Sequence, residues 1–186
     1  MHRGPVLALL AAHEPRAAPG AEAAALREIL AFVRTHPDCL ERHCAPGHLT
    51  GSAWIVSPCR RRVLLTHHRK LDRWLQLGGH ADGDGDLLAV ARREAAEESG
   101  LAGLRVVSPA IFDVDRHWIP ERPAQPGHFH HDLRFLLEGD PAEPLRLTRE
   151  SKALAWVELG AVAALNPEDS IARLVRKTPD SAGAAG

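Results

Sequence analysis

The chain has 186 residues, 45% of them hydrophobic and 25% charged, enough for one globular domain with a substantial core. A formal net charge of −1 excludes bulk electrostatic attraction to a nucleic-acid polymer or to an anionic membrane surface. Three cysteines are odd in number and too few for a disulfide framework, which points to a reducing cytoplasm.

Residues 1–20 read as a lead-in, helical or disordered. Its apolar run, Val6 to Ala12, is too short to span a bilayer, and no convincing cleavage site follows it. Residues 14–22 are linker-like, and an amphipathic helix comes next, with Leu26, Ile29, Leu30 and Val33 at i, i+3, i+4 and i+7. His36-Pro37 stops it. Residues 38–50 form a loop rich in Cys, His and Gly; Ser52–Val56 and Arg62–Thr66 then read as strands of a hairpin. Arg73–Leu77 is a short extended piece. The loop Gly79–Asp86 offers Asp84 or Asp86 as the N-cap of a helix over Leu87–Ser99, which Gly100 terminates. Leu104–Val114 and Phe129–Leu137 are strand candidates separated by the proline-rich loop Pro120–Gly127, and Ala153–Glu158 is another. Asn166-Pro167 supplies an N-cap and a first-turn proline for a last helix through Ile171, Leu174 and Val175. The tail, residues 179–186, has nothing to bury and is expected to be disordered. Strands on both sides of one central helix predict an α/β sandwich around a mixed sheet.

Arg93-Glu94-Ala95-Ala96-Glu97-Glu98 concentrates acid on that central helix. Glu94, Glu97 and Glu98 fan over about 100° of its surface. Such carboxylates repel one another unless a cation lies between them, and Arg93 neutralises only part of their charge. An oxygen-preferring divalent cation, Mg²⁺ or Mn²⁺, is the economical explanation. The bland alternative is an exposed acidic helix with i,i+4 pairs such as Arg93–Glu97.

The segment Gly79 to Leu101 resembles the Nudix box, G-x5-E-x7-R-E-U-x-E-E-x-G-U with U aliphatic. Gly79 fits the first position, Arg93-Glu94-Ala95 fits R-E-U, Glu97-Glu98 fits E-E, and Gly100-Leu101 fits G-U. One position departs: Gly85 stands where the pattern has its first Glu, flanked by Asp84 and Asp86. Ala95 is also small for its aliphatic slot.

The resemblance implies a Nudix-like α/β/α sandwich over residues 21–178, N-terminal helix included. It also implies a metal-dependent hydrolase that cleaves a diphosphate linkage in a nucleoside diphosphate derivative or similar small molecule. By the same resemblance Glu97 and Glu98 are the principal metal ligands, and the carbonyl of Gly78 is a further one. Glu94 would bind metal or orient the attacking water, and Arg93 would hold the carboxylates in place. The chemistry agrees, because metal ions on a diphosphate neutralise developing charge and acidify bound water, which a nearby carboxylate can deprotonate. Gly85 favours an alternative, a Nudix-fold ligand sensor that binds without turnover. An isopentenyl-diphosphate isomerase ranks below both, since none of Cys39, Cys44 and Cys59 sits beside the box.

Other residues are candidates for the substrate. Arg69 and Lys70, in the run Thr66-His67-His68-Arg69-Lys70, suit an outer phosphate, although a solvated loop takes basic residues as readily. Trp74 and Trp118 lie near loops and are placed to stack on a base or ring, whereas Trp54 and Trp156 read as core. In His128-Phe129-His130-His131-Asp132-Leu133-Arg134 the alternation puts His128, His130, Asp132 and Arg134 on one face. That face lines a cleft for substrate or an extra metal ligand, or belongs to a polar edge strand. Glu150 is a candidate for an additional acidic ligand outside the box, with Asp132 and Glu138 competing. His36, Cys39, His43, Cys44 and His48 raise the question of zinc, but their spacing matches no familiar finger and buried cysteine is ordinary core material. A monomer or homodimer is expected.

Overall fold

The structure is a computed structural model and describes residues 3–122 and 126–180. The lead-in forms helix α1 (Gly4–His13), with Pro5 in its first turn, where the missing N–H costs nothing. Val6 and Leu10 of α1 are fully buried. A 3-10 turn, Glu14–Arg16, leads to α2 (Ala21–Thr35). The linker-like stretch is pinned at both ends, because Glu22 reaches His13 Nε2 at 2.8 Å and accepts the Ala18 N–H at 2.7 Å.

Eight strands follow among the described residues: β1 (Gly47–Val56), β2 (Arg62–His68), β3 (Arg73–Leu75), β4 (Leu77–His80), β5 (Arg105–Val106), β6 (Asp113–Ile119), β7 (His128–Glu138) and β8 (Ser151–Glu158). Helix α3 (Leu87–Ser99) lies between β4 and β5, and α4 (Val162–Leu165) and α5 (Asp169–Lys177) close the described chain. Phe129 N donates to Pro46 O and Gly139 N to Val56 O, each at 3.1 Å. The bonds advance in the same direction along both strands, so β1 and β7 run parallel while β6 pairs β7 antiparallel. The result is the expected α/β architecture, a mixed sheet with flanking helices.

Two compact units make up the chain: Met1–Ser52, Gly78–Ala91 and Ser108–Phe135 in the first, and Ala53–Leu77, Arg92–Val107 and Leu136–Gly186 in the second. In the first unit α1 packs on α2 and α2 lies against β6. Arg116 of β6 pairs with Glu28 of α2 at 2.7 Å. Buried Ile29, Val33, Leu49, Val114 and Leu133 are part of its core. In the second, β2 lies between β3 and β8, both antiparallel to it, and β5 pairs the end of β7. Trp54 is fully buried there and donates from Nε1 to Thr178 Oγ1 at 2.8 Å.

Three expectations need correction. The strand expected at Ser52 begins at Gly47, so His48 and Thr50 belong to β1 and not to a loop. The strand expected over Leu104–Val114 is two, β5 and β6, interrupted where Ser108-Pro109 breaks the ladder. Asn166 does not cap the last helix: its Oδ1 accepts from Glu168 N at 2.9 Å and its Nδ2 donates to Trp74 O at 2.8 Å, while Glu168 takes the cap position of α5. Residues 123–125 of the proline-rich loop and 181–186 of the tail lie outside the described residues. Among the described residues no helix is long and apolar enough to cross a membrane.

Candidate active site and a histidine cluster

The start of α3 is fixed locally. Asp86 Oδ1 accepts the Ala89 N–H at 3.0 Å as its N-cap, and Asp84 Oδ1 accepts the Asp86 N–H at 2.9 Å. Both acids flanking Gly85 therefore organise the loop backbone. At the other end Gly100, at φ 76°, takes the left-handed conformation, and its N–H bonds Ala96 O at 2.8 Å. Gly51 lies so close to α3 that a Cβ there would meet Leu87 O at 2.6 Å. At Gly78 a Cβ would meet Ser52 Oγ at 2.4 Å, so the chain passes β1 there only as glycine.

On α3 the acidic run is graded in exposure. Ala95 is buried, Glu98 is 9% exposed, Glu94 is half-buried and Glu97 is exposed. Arg93 Nη2 donates to Glu94 Oε1 at 3.1 Å, so the arginine holds a carboxylate of the set. Arg69 spends its guanidinium on backbone, donating to Arg149 O at 3.0 Å and Ser151 O at 2.9 Å, while Lys70 is exposed. Trp74 stacks on His67 with centroids 5.1 Å apart. Glu138 pairs with Arg60 at 3.0 Å and Arg105 at 2.6 Å, leaving exposed Glu150 as the acid whose carboxylate has no partner among the described residues.

The polar face of β7 is what its alternation predicts, and it separates into two parts. Asp132 Oδ1 accepts from Thr50 Oγ1 at 2.8 Å and Ser52 Oγ at 2.7 Å, both on β1. Its Oδ2 accepts from Arg134 Nε at 2.9 Å, and Arg134 reaches Asp115 at 3.2 Å and Asp113 at 3.3 Å. Arg134 is thus a buried tie among aspartates. Towards the start of β7 the same face gathers imidazoles. The ring of His130 lies 4.8 Å from His48, 5.1 Å from His80, 5.2 Å from His128 and 5.3 Å from His117. Burial pushes the pKa of His48 down to about 4 and that of His130 to about 2, with neighbouring imidazoles adding to the effect, so both are neutral at pH 7. Neither nitrogen of His48, 1% exposed, has a hydrogen-bond partner. Leaving such a group buried and unpaired costs about 1–3 kcal/mol.

The opposite face of β7 carries apolar work. His131 stacks on Phe32 of α2 at 4.0 Å, and Phe129 meets Trp118 at 4.8 Å. These residues with Arg116 and Pro46 line a cavity of about 540 Å³, on which Trp118 is 52% exposed.

Sequence reasoning missed His48, His80 and His117 as companions of His128 and His130. The signal lay in His48-Leu49-Thr50-Gly51-Ser52, whose period of two becomes visible once β1 is extended backwards. Among the described residues Cys39 and Cys44 join no group with metal-ligand geometry; His48 instead groups with His128 and His130.

The NUDIX domain model matches residues 48–177. The chain therefore belongs to the NUDIX family, and its class is that of the Nudix hydrolases. Among solved structures it is similar to an Ap4A hydrolase of C. elegans in a binary complex, with a TM-score of 0.56, 18% identity, and coverage of 69% of this chain and 93% of that one. A NUDIX-family hydrolase from Clostridium perfringens gives 0.54 and 23%, covering 70% of this chain and 95% of that one. The dihydroneopterin triphosphate pyrophosphohydrolase of E. coli gives 0.53 and 20%, covering 69% and 92%. At these identities the likeness is one of fold. A comparison with curated proteins finds no match.

Proposed function

We propose that the chain is a Mg²⁺- or Mn²⁺-dependent pyrophosphohydrolase acting on a nucleoside diphosphate derivative or a related small diphosphate. The observation that carries this reading is the acidic run on α3. Glu98 is nearly buried, exposed Glu97 precedes it, and Arg93 holds Glu94 one turn earlier. Oxygen donors of this kind suit a hard divalent cation, which is worth its desolvation only where several carboxylates share it. Glu97 and Glu98 would hold the ion, with Glu94 as a further ligand or the group that orients water, and exposed Glu150 as the additional acid. Gly78 keeps the carbonyl-ligand role that the resemblance implies. When bound, the ion supplies charge neutralisation on the phosphates and acidifies water. Arg93 acts as a positioning residue, holding Glu94 in place. Lys70, exposed and without a partner among the described residues, suits a phosphate better than Arg69, whose donors are committed to backbone. Trp118, exposed beside a cavity, suits a planar ring.

One solved structure of similar fold is by name a triphosphate pyrophosphohydrolase, which supports a polyphosphate substrate. The loop around Gly85 favours a second reading, a ligand-binding protein with weak turnover, because Asp84 and Asp86 both serve the backbone. The cysteines fit a cytoplasmic protein, and a monomer or homodimer is expected. A panel of nucleotides, nucleotide sugars and dinucleotides, assayed with Mg²⁺ and with Mn²⁺ for released phosphate or phosphomonoester, tests the proposal. Cleavage that disappears in Glu97→Gln and Glu98→Gln supports it; tight nucleotide binding by calorimetry without cleavage puts the second reading first.

A further inference from the structure

We propose that His48, His128 and His130 bind a divalent transition-metal ion of the zinc, nickel or copper type, a site distinct in chemistry from the carboxylates of α3. One nitrogen from each of the three imidazoles lies within 4.8 Å of the others. Around a tetrahedral zinc with Zn–N of about 2.0–2.1 Å, three such nitrogens stand about 3.3 Å apart, so the imidazoles turn and close on the ion as it binds.

Three features of the residues point to a metal and not to ordinary packing. His48 is 1% exposed, and neither of its ring nitrogens finds a partner, although its ring faces His128 at 4.9 Å and His130 at 4.8 Å. A lone pair so placed is satisfied by a cation that imidazole can ligate. His128 is already oriented as a ligand: its Nδ1 lies 2.8 Å from Pro126 O, and a carbonyl only accepts, so Nδ1 carries the proton. The lone pair then resides on Nε2, the tautomer that outer-shell carbonyls impose on metal-bound histidine. The trio also contains no carboxylate. Neutral nitrogen donors suit zinc, nickel and copper and suit Mg²⁺ and Ca²⁺ poorly. His80 and His117 flank His130 at 5.1 and 5.3 Å and are the nearest candidates to complete or support the coordination.

The backbone geometry explains why the trio can be rigid. His48 sits on β1 and His128 and His130 on β7, strands that run side by side, so the three side chains project from paired backbone and not from a loop. No step of the proposed hydrolysis depends on this ion, and the two sites can fail independently.

Untagged full-length protein, stripped with chelator and titrated with Co²⁺ or Zn²⁺, tests the site. About one equivalent is expected to bind, with visible d–d absorption of low-coordinate Co²⁺ and displacement by Zn²⁺ but not by excess Mg²⁺. Binding should weaken about 100-fold or more in His130→Asn and in His48→Gln. It should persist in the Glu97→Gln, Glu98→Gln double variant, which separates this proposal from the hydrolase reading. Since His48 is buried, a readout on the unmodified chain is added: Zn²⁺ at about 100 times its dissociation constant should raise the melting temperature measurably. Binding that survives His130→Asn, or a wild-type protein that takes up no Co²⁺ and shows no zinc-dependent rise, overturns the proposal.

Discussion

Arg134 Nε donates to Asp132 Oδ2 at 2.9 Å, two residues apart on one strand, and the two residues are 2% and 1% exposed. Burial alone would lower the guanidinium pKa, but Asp115, Asp132 and Asp113 outweigh it and hold it above the ordinary arginine value. Thr50 and Ser52 donate to Asp132 on one side, and Arg134 reaches two further aspartates on the other. Removing one member strands the rest. Arg134→Met should lower the unfolding free energy by about 3–5 kcal/mol, read from urea denaturation. A loss below about 1 kcal/mol would mean that the network contributes little beyond its own desolvation cost.

The cap on α3 makes a smaller, cleaner prediction. Asp86→Ala should cost about 0.5–2 kcal/mol, whereas Asp86→Asn, which keeps the accepting oxygen, should recover most of it. Thermal melting of the two variants side by side decides it. Equal losses would show that charge at the helix start, not the hydrogen bond, carries the effect.

Activity should divide the two adjacent acids from the surface around them. Glu97→Gln and Glu98→Gln should each reduce kcat by about 10²-fold or more with Mg²⁺ on any substrate the panel identifies. Glu97 is exposed, so its variant should leave stability within about 0.5 kcal/mol of the parent. An inactive Glu97→Gln protein with an unchanged melting curve is therefore the informative result.

The three thiols should separate by pH. Cys59 is exposed, and a hydrogen bond with Ser57 Oγ at 3.4 Å lowers its pKa, so thiolate forms below the usual pH. Burial pushes Cys44 up to about 12, with Asp38 adding to the effect, and raises Cys39. Iodoacetamide near pH 8 should modify Cys59 alone, as read by peptide mass spectrometry, and raising the pH towards 10 should leave Cys44 unmodified in the folded chain. Labelling of Cys44 at a rate similar to Cys59 would contradict the burial described for it.

The sequence made α3 legible to the residue, because an Asx cap, an apolar period and a terminating glycine all agree there. It also placed His128, His130, Asp132 and Arg134 on one face of β7 correctly. The start of β1 was hidden for a physical reason. His48, Thr50 and Ser52 are polar yet buried, and the partner that satisfies Thr50 and Ser52 is Asp132, 82 and 80 residues away. Hydrophobic patterning has no means of announcing a strand whose inward residues are matched by a distant carboxylate. For the same reason the histidine cluster could not be assembled: its five members sit on four strands, β1, β4, β6 and β7, whose pairing, and not their local composition, brings them together. Asn166 misled in the opposite sense: its Oδ1 accepts the N–H of Glu168, which is itself the cap residue, and its Nδ2 is held by the Trp74 carbonyl.

The two-residue repeat of β7 has a consequence for how this chain can change. Imidazoles and the buried ion pair alternate with Phe129, His131, Leu133 and Phe135, which face away from them. Point substitutions along the strand would each touch one side only. A single inserted or deleted residue, however, would exchange the two sides wholesale, presenting Phe129 and His131 to His48 and turning Arg134 towards apolar neighbours. The strand should accordingly tolerate replacement far better than any change in its length.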